Sequence, residues 1–313
     1  MFIEILGSVL FGFFSGVLSG YYGVGGGWLV TPFLNLIIHL PMPKAIGTSL
    51  IYVVVVALFG TFKHKKLKNV SYPIGFIVGG FAIAGVILGR MVIRFLENIG
   101  TVDNVIGIVY IVFLSGIGIY MFFEGKKKKK GQIGDVIKKN GFLRFPVSIE
   151  DKKLNVSLLT TALVGVGVGF LSSVMGIGGG FILFPSLIYL IGMPVSSAVG
   201  TSLFSVLIIG VQGSIVYALS DKINYILFIS LAAGSIPGIS LGVEAIKRSN
   251  PDEVKSLFSI TLFAGALAFI VKRIFAGNLH AIILVVTAVF ITTVVLIRSF
   301  LNRTKNTSPY SSK

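Results

Sequence analysis

The chain has 313 residues, 54% of them hydrophobic and only 12% charged, with a mean hydropathy of +0.95. A soluble domain carries about 25% charged residues, so the composition excludes a soluble globular protein and predicts an all-α polytopic membrane protein. The net charge of +16 does not point to nucleic acid, because lysines and arginines gather in short loops between apolar spans. That is the pattern of cytoplasmic loops, where such residues also attract anionic membrane lipids.

The first apolar stretch, Phe2–Tyr21, has no basic region before it and no clear cleavage site. It reads as a retained membrane helix rather than a signal peptide. The pentapeptide Gly23-Val24-Gly25-Gly26-Gly27 follows, then a short apolar segment, Trp28–Leu40, too brief to cross a bilayer that needs roughly 20 residues. Spans over Ala45–Phe62, Tyr72–Leu96 and Val105–Phe123 complete the first half. The second half gives spans at Val156–Met175, Ser197–Leu219, Tyr225–Ile246 and Leu257–Ile274. Between the first two of these lie Gly176-Ile177-Gly178-Gly179-Gly180 and another short segment, Phe181–Ile191. A last span, Leu279–Phe300, has no partner in the first half.

Shifted by 153 positions, the two halves align without a gap. Residues 23–50 and 176–203 are identical at 13 of 28 positions, where chance in an ordinary composition gives about two. The chain therefore reads as two tandem homologous repeats, 1–123 and 155–276. They are joined by a lysine-rich linker, 124–154, and followed by an extra helix and tail, 277–313. The lysine/arginine bias favours inverted repeats in the plasma membrane, with linker and C-terminus cytoplasmic. Lys272 and Arg273 are the exceptions.

Lipid cannot hydrogen-bond a bare amide, so broken helices at membrane depth must be buried or line a wet cavity. A glycine cluster ahead of a short helix predicts free N–H groups that an anion can approach closely. The expected substrate site is Gly23, Gly25, Gly26 and Gly27 with Gly176, Gly178, Gly179 and Gly180, near the bilayer midplane. Glycines also permit tight helix crossing, and that is the alternative role. The paired Gly-Thr-Ser-Leu motifs add hydroxyls at Thr48, Ser49, Thr201 and Ser202, which could cap a helix or bind an oxyanion. Polar residues within or beside spans are candidate pathway or coupling groups: Asn35, His64 in its lysine-rich loop, Arg90 and Glu244 near helix ends, and Gln212. Snorkelling to the interface is the competing role for Arg90 and Glu244. No metal site, cofactor motif, P-loop or hydrolase constellation is present, and there is no cysteine, so an enzyme is not expected.

The doubled GxGGGxxxxP…GTSL pattern resembles the TauE/SafE sulfite exporter family, also called the toluenesulfonate uptake permease family. His64 followed by Asn69-Val70-Ser71-Tyr72 is similar to that family's histidine and polar–aromatic turn. The resemblance implies secondary transport of small sulfur-containing anions such as sulfite or sulfonates, with proton or sodium coupling possible. An anion channel, a carrier of another small carboxylate or oxyanion, and a non-transporting scaffold remain the alternatives.

Overall fold

A computed structural model describes residues 2–126, 144–149, 152–274 and 279–306. Nine helices among them are long and apolar enough to cross a membrane. In the first half these are α1 (Phe2–Tyr22), α3 (Met42–Lys66), α4 (Tyr72–Asn98) and α5 (Val102–Lys126). In the second they are α6 (Leu158–Met175), α8 (Val195–Ala218), α9 (Tyr225–Ile246) and α10 (Pro251–Ile274), followed by α11 (Leu279–Asn306). The two short segments are α2 (Gly27–Pro32) and α7 (Gly180–Ser186). Each contains a proline, Pro32 or Pro185, and widens into a π-helical turn, Phe33–Ile37 or Leu187–Ile191. A proline removes one i→i−4 donor, and a π turn is one way to take up that gap. The same closing bond follows in both, from Leu40 N to Leu34 O and from Met193 N to Leu187 O.

Both edges of the expected linker fall within described elements. α5 runs on to Lys126, and a two-stranded antiparallel hairpin, β1 (Arg144–Ile149) and β2 (Lys152–Ser157), leads directly into α6. Ser157 caps that helix through Thr160 N. The lysine run at 127–130 lies outside the described residues.

Glycine decides which helices touch. α1 lies along α9, and α4 along α6. The α-carbons of Gly234, Gly238 and Gly242 press on the backbone of Val9, Phe13 and Val17. Gly85 and Gly89 meet Val166 and Phe170 in the same way. Gly16 faces Ser235, and Gly169 faces Ala82. Small residues let backbones approach where lipid offers no hydrophobic driving force between helices. Apart from Gly234, whose counterpart is Phe81, each of these contacts recurs 153 positions away in the other half. At the centre α3 crosses α8, and α5 crosses α10.

A leucine at Gly238 would collide with the Phe13 carbonyl. Overpacking of that kind costs typically 1–3 kcal/mol, and backbone cannot yield as a side chain can. Gly238→Leu should therefore lower the melting temperature in detergent by several degrees. Gly80→Leu, which meets only open space, should not. Equal stability of the two variants would contradict this account of the seam.

Candidate functional site

Both glycine loops are buried and sit on the same pair of valines. A β-carbon at Gly25 would come within 2.7 Å of Val206 Cγ1 and 3.1 Å of Val53 Cγ1. One at Gly178 would come within 2.6 Å of Val53 Cγ1 and 3.0 Å of Val206 Cγ1. The loops thus flank the α3–α8 crossing, where Val53 and Val206 meet them. Gly27 touches Ile177 and Gly180 touches Val24, so each short segment begins against the opposite loop.

The backbone of these loops is left-handed at Gly23, Gly25 and Gly26, and at Gly176, Gly178 and Gly179, with φ between +67° and +82°. Such values strain any residue with a β-carbon. The conformation also divides the peptide groups. Gly26 O accepts from Leu29 N, Val30 N and Ser15 Oγ, and Gly179 O accepts from Ile182 N and Leu183 N. Among the described residues, the amides of Gly25, Gly26, Gly27 and Trp28, and those of Gly178 and Gly179, make no backbone hydrogen bond outside their own helices. Buried donors without partners cost about 1–3 kcal/mol each. Amides in such left-handed turns form a surface that favours an anion.

The hydroxyls of the Gly-Thr-Ser-Leu motifs divide their work. Thr48 Oγ1 accepts from Asn224 N at 2.8 Å, and Thr201 Oγ1 accepts from Ser71 N at 2.9 Å. Each threonine therefore holds the turn before a long helix of the other half. Ser49 Oγ donates to Gly27 O at 3.3 Å. Ser202 Oγ is buried and has no partner.

The remaining candidates are dispersed. His64 is not in a loop. It closes α3, wholly buried, with Nε2 3.3 Å from Gly20 O and Nδ1 unpartnered. Tyr217, 153 positions on, donates to Ser173 O at 2.7 Å, the matching carbonyl of the other half. Arg90 does not snorkel; it is 4% exposed, pairs with Glu97 at 3.2 Å and lies 4.6 Å over the Tyr217 ring. Lys222 shares Glu97 at 3.3 Å. Gln212 donates to Gly79 O at 2.9 Å across the α4–α8 contact. Glu244 is half-exposed and pairs with Lys247 and Arg248. Asn35 donates to Asp103 Oδ1 and accepts from Lys272 Nζ, each at 3.0 Å. Sequence reasoning missed Val53, Val206, Glu97 and Asp103 as partners of these residues. Val53 and Val206 could have been found, because they are 153 residues apart.

The family model described as sulfite exporter TauE/SafE matches residues 8–269. The chain belongs to that family. A probable membrane transporter protein of Bacillus subtilis, YdhB, is 27% identical over 81% of this chain and 95% of its own length. A second from the same species, YjnA, is 26% identical over 84% and 98%. A probable membrane transporter protein of Methanocaldococcus jannaschii is 27% identical over 81% and 91%. No solved structure matches. This TauE/SafE member is therefore a multi-pass membrane transporter, and its family gives no reason to expect catalysis.

Breaking a buried ion pair from one side costs about 3–5 kcal/mol, because it strands the other charge. Arg90 is the buried member, whereas Glu97 keeps Lys222 when Arg90 is removed. Glu97→Gln should therefore destabilise the protein markedly in thermal unfolding, and Glu97→Gln with Arg90→Met should recover much of the loss. Additive losses in the double variant would show that the two side chains do not depend on each other.

Proposed function

We propose that the protein is a secondary transporter of small oxyanions, with sulfite and organic sulfonates as the substrate class, working by alternating access. The observation that carries this reading is the set of bare amides at the two glycine loops, flanking one crossing of α3 and α8. Neutral donors hold an anion without pairing it to a fixed charge, so release stays possible. Ser202 Oγ, buried and unpartnered beside the start of α8, is a further donor for the same ligand. Val53 and Val206 close the space between the loops, which supports an occluded carrier rather than an open pore.

Inverted repeats supply the motion. Gly47 near the start of α3 touches Tyr217 and Lys222, at and just beyond the end of α8, while Gly60 touches Leu203 near the start of α8. The two helices therefore cross antiparallel. A two-fold axis relating them lies across the helices, in the membrane plane, as in transporters that rock one repeat against the other. The linker and C-terminus are then on the cytoplasmic side, and proton or sodium coupling is compatible with this arrangement.

Purified protein in liposomes should take up sulfite or a sulfonate in preference to chloride, with saturable kinetics. Gly26→Ala or Gly179→Ala should abolish uptake. Ser202→Ala loses no hydrogen bond, so it should fold normally and still lose most of its flux. Unaltered flux in Ser202→Ala, together with unaltered flux in the glycine variants, would defeat this site. Single-channel currents would replace the carrier with a channel.

A further inference from the structure

A cavity of about 190 Å³ opens between the start of α5 and the end of α10, with Asp103, Gly107, Ile111, Phe269, Lys272 and Arg273 among its walls. Its charges are one carboxylate and two cations. Asn35 stands between two of them, its amide nitrogen on Asp103 and its oxygen on Lys272. The carboxylate is thus held by a neutral donor. An ammonium has three donors, and Asn35 takes one of those of Lys272. The exposed Arg273 guanidinium adds a second cation at the rim.

The cavity wall is linked to the glycine loops through one aromatic neighbour. Asp103 to Ile111 is eight residues, about 12 Å along a helix. Phe269 in its wall stacks on Tyr110 at 4.5 Å. The Tyr110 hydroxyl donates to Met175 O at 2.6 Å, immediately before Gly176. On the other side, Asn35 belongs to the π turn that ends the first short segment. The rim is therefore joined to one broken segment and the wall to the other.

The matching place in the other half has no such charge. Positions 153 residues before Lys272 and Arg273 are Ile119 and Tyr120. The cavity at that end is lined by Gly116, Ile117, Tyr120 and Tyr189, among others, and Lys255 Nζ lies 5.6 Å from the Tyr189 ring. Among the described residues its lining holds no charged side chain, whereas Lys272 and Arg273 line the first cavity.

We infer that the cavity is an entrance vestibule that captures a small oxyanion on Lys272 and Arg273, on the membrane face opposite the lysine-rich linker. An anion that engages Lys272 draws its ammonium from Asn35 and releases the end of the first short segment. The inference rests on the oxyanion-transport reading above. It also accounts for Lys272 and Arg273 lying on the face where topology disfavours them.

The natural chain has no cysteine, so single thiols report directly. Ile111→Cys and Ile117→Cys are treated in intact cells with membrane-impermeant methanethiosulfonates, one anionic and one cationic. Ile111→Cys should react from outside, about tenfold faster with the anionic reagent, as a cavity with two cations and one carboxylate directs. Millimolar sulfite should slow it. Lys272→Gln with Arg273→Gln should erase the anionic preference, and Ile117→Cys should not react. No reaction at Ile111→Cys, no preference for the anionic reagent, or no protection by sulfite overturns the vestibule. If the labelling pattern holds but wild-type liposomes carry no oxyanion, the transport reading falls and the anion site stands.

Discussion

The structure turns on bare backbone amides placed inside a membrane protein. Lipid offers no acceptor, so such groups survive only where protein encloses them. Here the enclosure is made by the α3–α8 crossing, whose valines Val53 and Val206 touch both glycine loops. The rest of the fold serves to bring that crossing about. α1 and α4 each lie along a helix of the opposite half, through glycine contacts with backbone, and so bind the halves into one body.

Polar contacts between the halves follow the same economy. Thr48 and Thr201 do not wait as idle hydroxyls. Each accepts from the turn ahead of a long helix in the other half. His64 and Tyr217 reach the carbonyls of Gly20 and Ser173, three residues before each glycine loop. These bonds fix the ends of the central helices while leaving the loop amides unpaired. Stability and the candidate site therefore use different atoms of the same motifs.

Departures from equivalence are as informative as the matches. Buried Arg90 forms a cluster with the partly exposed Glu97 and Lys222, whose counterparts are Val243, Asn250 and Asn69. Asn35, Asp103 and Lys272 correspond to Ile188, Ser256 and Ile119. Both groups lie at the far end from the lysine-rich linker, where α4 ends and α5 begins. Two similar halves thus differ in the polar groups they place at that end.

Apolar segment lengths fix the membrane class, and the 153-residue register fixes which loops correspond. The GxGGG pentapeptides mark where helices are disfavoured, since glycine lowers helix stability by about 1 kcal/mol per residue. These are local facts, written in composition and spacing. Partners are not local. Nothing around Arg90 in the chain distinguishes a snorkelling arginine from a buried one paired with Glu97 two turns on. Nothing near Thr48 names Asn224 as its donor. Those outcomes depend on which helices glycine allows to touch, and only the packed structure decides that.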